Sequence, residues 1–277
     1  MTNTIARGAI EVLHIGGPTL RFRYAGLTWL TDPTFDAPRD YPGPVTLRKL
    51  DGPAVSPEQV GPVDVVLLSH DQHADNLDIS GREFLTTVPT VLSTPDAAAR
   101  LDDVRGLRNW ETITIGAVEV TGTPALHGPE GCEPLSGVVT GFVLRAAGEP
   151  TVYVSGDNAS VDVVRDIVER VGQVDIAIVN VGAANVGRFG DADVTLNART
   201  AVRAAELLGE AVLVAVHGEG WAHFTETLDH LGRAFEYAGR RAQLVIPPRG
   251  GVRPGVKRPT AGGRSHHGPR LAYRREG

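Results

Sequence analysis

The chain has 277 residues, 42% hydrophobic and 22% charged, with a formal net charge of −6. Such a composition suits one large or two small globular domains, with a core that needs no disulfide staples, and argues against global disorder. The charge is uneven: residues 1–250 carry −12, while 251–277 hold seven Lys/Arg against Glu276, or +6.

No apolar run approaches the ~18 residues of a spanning helix, and the start, MTNTIARGAI, lacks the charged and apolar regions of a secretory signal. A lone Cys132 forbids an internal disulfide or a cysteine-based zinc knuckle, and it points to a reducing, cytoplasmic setting. The acidic body argues against a nucleic-acid partner, because phosphate binding favours a basic face. Arginine outnumbers lysine 25 to 2, and no function is read from that.

The opening is strand-rich. Residues 10–14, 19–24 and 27–31 form short apolar or alternating runs, broken by Gly16-Gly17-Pro18 and Ala25-Gly26. A Pro/Gly-rich stretch from 32 to about 62 is too long for a plain connection. Residues 63–69 (VDVVLLS) read as a buried strand ending in His70-Asp71-Gln72-His73-Ala74-Asp75-Asn76. A helix capped by Thr94 with Pro95 at its first position comes next. Strands follow near 111–115 and 118–121, with His127 in the loop beyond. Further strands are expected at 138–145, 151–155, 175–181, 211–216 and 243–246. Helices are expected at 161–171, stopped by Gly172; at 198–208, capped by Asn197; and at 223–237. After Gly250 periodicity ends, and residues 251–277 are read as a basic disordered tail. The body, 1–250, reads as one domain of two β/α halves, roughly 8–135 and 136–250, with a cleft between them.

The polar punctuation is patterned. His70, Asp71, His73, Asp75, His127, Asp157 and His217 all fall just after expected strands, where α/β folds present their sites. Histidine and aspartate without thiols suit zinc or a similar divalent ion. Ser69 and His70 are neighbours, and strand neighbours point apart, so a Ser-His dyad is not expected. The glycine-rich segment 180–190 (NVGAANVGRFG) is either a plain loop or a contact for an anionic substrate.

These residues resemble the metallo-β-lactamase-fold hydrolases, nearest the branch of the L-ascorbate phosphate lactonase and the N-acyl phosphatidylethanolamine phospholipase D. The carriers are LTDP at 30–33, SHDQHADNLD at 69–78, TPALHGP at 123–129, SGDN at 155–158 and HGEGWAHFTE at 217–226. The resemblance covers about 10–248 and implies a four-layer αββα sandwich, an α/β fold. It implies metal ligands at His70, His73, Asp75, His127, Asp157 and His217, with Asp157 bridging two ions and Asp75 and Asp157 as the catalytic pair. It implies one or two zinc ions, with manganese or iron as alternatives.

The family's usual His-x-His-x-Asp-His is altered here. Counted from Ser69, Gln72 stands at the second ligand position; counted back from Asp75, Asn76 replaces the final histidine, and the two alignments differ by one inserted residue. Asp32, Asp71, Gln72, Asn76 and His223 are therefore taken as supporting or pocket residues. The implied chemistry is hydrolysis of a small ester, lactone or phosphodiester by a metal-held hydroxide. The alternative is a non-catalytic metal- or ligand-binding protein with a degenerate site. A nucleic-acid-processing reading rests on the +6 tail alone, and removal of residues 251–277 is expected to leave small-substrate hydrolysis intact.

Overall fold

Val65, Val66, Leu67 and Leu68 are all buried, so both faces of this strand must be covered. Alternation sends Val65 and Leu67 into one apolar cluster, and Val66 and Leu68 into another on the opposite face. The rest of the architecture satisfies that requirement. It is seen in a computed structural model describing residues 8–257.

The first half holds strands β1 (Ile10–Gly16), β2 (Thr19–Tyr24), β3 (Leu27–Thr31), β4 (Arg39–Tyr41), β5 (Leu47–Lys49), β6 (Val65–Leu67), β7 (Thr90–Ser93) and β8 (Val104–Gly106). Helices α1 (Pro57–Val60), α2 (Ile79–Leu85) and α3 (Pro95–Ala98) lie among them. The second half holds β9 (Thr112–Ile115), β10 (Val118–Ala125), β11 (Val139–Arg145), β12 (Val152–Val154), β13 (Ile176–Asn180), β14 (Val212–Val216), β15 (Leu244–Val245) and β16 (Val252–Val256). Its helices are α4 (Glu133–Ser136), α5 (Val161–Val171), α6 (Ala198–Leu207) and α7 (Leu228–Tyr237).

Two seven-stranded sheets result, ordered β16-β1-β2-β3-β6-β7-β8 and β15-β14-β13-β12-β11-β10-β9, beside a β4–β5 hairpin. Their facing sides share one core, in which Phe22, Trp29 and Leu67 meet Val120, Phe142 and Ile178. The outer face of the second sheet is covered by Ile167 of α5, Ala201 and Ala204 of α6, and Phe235 of α7. Phe84 and Leu85 of α2 cover the outer face of the first. The fold is the expected αββα sandwich. β3, β6, β7 and β8 run parallel, as do β12, β13, β14 and β15. The loops after β6, β12 and β14 therefore carry the chemistry-bearing residues at the C-terminal ends of parallel strands, where such folds place their sites.

Several expectations change. β9 and β10 belong to the second sheet, so the chain passes from the first sheet to the second between β8 and β9, not near 135, and β16 returns to the first. α2, β7 and β8 have no counterpart in the periodicity, because they are short and α2 carries Gly81. A Cβ at Gly81 would collide with the Pro33 carbonyl, so this glycine permits α2 to press on the Asp32–Pro33 corner. α7 starts at Leu228, capped by Thr227, and not at His223. The tail is not irregular from 251: β16 pairs antiparallel with β1, and Val256 is buried in the central core. Residues 258–277 lie outside the described residues.

A cut after Gly250 therefore removes a strand as well as the basic segment. Burying a valine contributes about 1.5–3 kcal/mol. Truncation after Lys257 should leave the thermal midpoint unchanged, and truncation after Gly250 should lower it by roughly 5 °C. Equal midpoints for the two truncations would contradict the role given to β16.

Candidate metal centre

Two groups of ligand-capable atoms meet at this rim: His70, His73 and His127, and Asp75, Asp157 and His217. His70 Nε2 lies 2.9 Å from His73 Nδ1, and His127 Nε2 lies 3.2 Å from the same atom. His217 Nε2 is 3.3 Å from Asp75 Oδ2 and 3.6 Å from Asp157 Oδ1. Ligand atoms ~2.0–2.2 Å from a shared ion lie ~3.0–3.5 Å apart, so both groups have the spacing of a coordination shell.

The far side of each ring is anchored. His127 Nδ1 donates to the Val194 carbonyl at 2.7 Å, and His217 Nδ1 faces the Val181 carbonyl at 3.4 Å, so Nε2 of each is left for the site. His70 Nδ1 bonds the Ser69 hydroxyl at 2.9 Å. This corrects the expectation that the Ser69 and His70 side chains diverge. Both residues lie past the end of β6, where strand alternation no longer applies. Ser69 is buried away from the cavity and braces His70. His217 takes a left-handed backbone, φ 60°, fixed by its N–H bond to the Gly17 carbonyl.

Burial, His73 and His127 hold His70 well below the usual imidazole range. Burial and His127 push His73 down to about 4. Both are neutral and ready to ligate. His217 behaves oppositely: burial lowers it, but Asp157 and Asp75 outweigh that and raise it to about 9. Burial would raise Asp75, yet His223 and His217 beside it hold it well below the ordinary carboxylate range. Asp157 is also lowered, with His217 and His127 overcoming its burial. Asp75 Oδ1, Asp157 Oδ2 and His217 Nε2 are buried without a hydrogen-bond partner. Buried carboxylate oxygens and an imidazole nitrogen left bare in one place fit a divalent transition-metal ion.

The surrounding residues sort clearly. Asn76 donates from Nδ2 towards Asp157 Oδ1, Ser69 Oγ and Asp32 Oδ2 at 3.2, 3.3 and 3.4 Å. Asp32, pushed up to about 7 chiefly by burial, accepts the Ser69 N–H at 2.7 Å. His223 Nε2 lies 2.9 Å from Asp75 Oδ2. Gln72 lines the cavity and packs against Gly137. Asp71 was expected near the site, but its carboxylate turns away to pair with Arg100. With Asp71 and Gln72 outside both ligand groups, the inserted residue lies between His70 and His73. Asn180, not singled out in the sequence, donates to Asp157 Oδ1 at 2.6 Å; its place at the end of a buried strand was the available sign. Trp221 is packing: it is buried beside Tyr41 and Lys49.

A cavity of about 240 Å³ opens onto both groups, lined by His73, Asp75, His127 and His223 and walled by the β4–β5 turn and the 186–194 loop. That volume is smaller than the ~300–1,000 Å³ of most ligand pockets.

The family model for the Beta-lactamase superfamily domain matches residues 28–218. The chain belongs to this family. A metal-dependent hydrolase of Methanosphaerula palustris is 28% identical over 198 residues, covering 68% of this chain and 84% of the relative. One from Methanoculleus marisnigri is 30% identical over 185 residues, covering 62% and 74%. Among solved structures, an isothiocyanate hydrolase from Delia radicum gut bacteria superposes with TM-score 0.77 at 23% identity, covering 88% of this chain and 98% of that one. A metallo hydrolase from Ignicoccus hospitalis gives 0.67 at 18%, covering 88% and 97%. These structural likenesses show the superfamily fold. The two ligand groups are consistent with a metal-dependent hydrolytic site of this fold. Among the described residues no helix is long and apolar enough to cross a membrane.

The opposite protonation of the two groups makes a prediction. A metal entering the Asp75/Asp157/His217 group must displace the His217 proton below about pH 9, whereas His73 is neutral down to about pH 4. Affinity of the first should fall about tenfold per pH unit of acidification from pH 8 to 6, whereas His70 and His73 have no proton to release in that range. Metal content measured across a pH series should drop from this carboxylate group first. Loss of all metal in one step would contradict the assignment.

Proposed function

We propose that this chain is a hydrolase of a small ester, lactone or phosphodiester, loaded with two divalent ions, zinc foremost and manganese or iron as alternatives. The observation that carries the reading is that one small cavity reaches both ligand groups, whose facing atoms are buried and bare. When bound, divalent ions acidify water and polarise a scissile carbonyl or phosphoryl oxygen.

His70, His73 and His127 would hold one ion, and Asp75 and His217 the other, with Asp157 between them. Asp157 is held ionised against its own burial by His217 from one group and by His127 and His70 from the other, which supports that bridging place. Asp75 reaches the cavity and orients the attacking water as an acceptor. Ionised well below the usual range, it is too acidic to keep the water's proton at neutral pH. His223, 2.9 Å from Asp75 Oδ2, fixes the orientation of that carboxylate. The Asn76 amide occupies the place where the resembled family carries a further histidine. It serves by holding Asp157, so its departure from the pattern is compatible with catalysis. The SHDQHADNLD and HGEGWAHFTE segments support the lactonase and phospholipase D branch, and the lone buried Cys132 supports a cytoplasmic setting.

The test is a panel on metal-loaded protein: p-nitrophenyl acetate, a γ-lactone and bis-p-nitrophenyl phosphate. Benzyl isothiocyanate joins them because one solved structure of this fold hydrolyses isothiocyanates. At least one should be turned over. His127→Ala should lose metal and activity together, and His223→Ala should lower kcat about 10–100-fold with the thermal midpoint unchanged. A metal-loaded wild type no faster than His127→Ala on every probe would favour the non-catalytic reading.

A further inference from the structure

Apart from the ligands, the cavity wall is mainly apolar, with Pro42, Val45 and Leu47 on the hairpin side and Val186 and Phe189 on the other. Within it stands a single Lys or Arg among the described lining residues, Arg188. It lies in the glycine-rich segment 180–190 whose role the sequence left open. Elsewhere Arg48, Arg100, Arg165, Arg203 and Arg249 each pair with a carboxylate. Arg188 forms no ion pair among the described residues. Its one protein partner there is the Leu135 carbonyl, bonded through Nη1. A guanidinium has five N–H donors in a planar fork, so the Nε/Nη2 edge remains for a ligand. The side chain is half-buried, and its charge reaches the site: after burial and His127, it is among the causes that depress His73.

We infer that Arg188 is an anion-binding residue of this cavity, and that the ligand is a small molecule with an apolar body and a carboxylate set apart from its reacting bond. The word substrate for that ligand rests on the hydrolytic reading; the binding itself does not. An apolar wall strengthens a charge pair that water would screen, and a carboxylate matches the free edge of the fork two-to-two. The hairpin and Phe189 would cover the apolar body while the far end of the molecule faces the metal ligands. The same Nη1–Leu135 bond ties the 186–194 loop to α4, which holds the fork in place.

Binding to the zinc-loaded full chain by calorimetry tests this with matched acids. Glutarate and adipate carry a second carboxylate; pentanoate and hexanoate end in a methyl at the same place. In the wild type at least one diacid should bind about 10- to 100-fold tighter than its partner, the range of a charge-assisted hydrogen bond. Arg188→Gln should abolish the preference and leave the monoacid affinities unchanged, and Arg188→Lys should restore part of it. Equal binding of diacid and monoacid in the wild type, or a preference that survives Arg188→Gln, overturns the inference. Monoacid binding that ignores zinc would instead count against the hydrolytic reading, with the diacid ratio still reporting on Arg188.

Discussion

The organising constraint is the burial of ionised carboxylates. Asp75 and Asp157 are 4% and 0% exposed, and a carboxylate taken from water is strongly disfavoured unless it is compensated. His217 offers one positive charge for the two acids, and bare oxygens remain. A divalent cation taking the place of the His217 proton would balance both carboxylates. The αββα sandwich is the support for this arrangement, because it brings the ends of β6, β10, β12 and β14 to one rim while the apolar strands stay in the core.

The compensation extends outward in a continuous chain. Asp32 holds the Ser69 backbone; Ser69 braces His70; Asn76 reaches Asp32, Ser69 and Asp157; Asn180 grips Asp157 from the next strand. Each link fixes a rotamer that ligation needs, so the site is organised by residues that touch no ion. Asp78 does the same for the cavity wall. Its carboxylate accepts the Phe35, Asp36 and Gly81 N–H groups and Lys49 Nζ, tying α2 and β5 to the Asp32–Pro33 corner.

The parts legible in sequence are those that repeat a physical rule. Buried strands followed by His or Asp marked the ligand segments, and the caps at Thr94 and Asn197 hold as read. What was not legible depends on contacts distant in sequence. Phe224 and Leu228 fit a helical stripe with Leu231 and Phe235. However, a strand-like pairing of Ala184 with Phe224, and the bond from Asn185 N–H to the His223 carbonyl, keep 223–224 out of α7. His223 thereby reaches Asp75. Asp71 read as a supporting or pocket residue, but Arg100, 29 residues on, pairs with its carboxylate. Arg188 belongs to the glycine-rich segment 180–190, which the sequence offered as a plain loop or an anion contact without singling out a residue. Val252–Val256 reads as tail because its partner strand lies at the opposite end of the chain.

Two separate ligand groups should each hold an ion. Anomalous diffraction at the zinc edge from crystals of the zinc-loaded protein tests it most directly. Two peaks are expected, one among His70, His73 and His127 and one among Asp75, Asp157 and His217. No peak at either group, or metal held only by other residues, would contradict it.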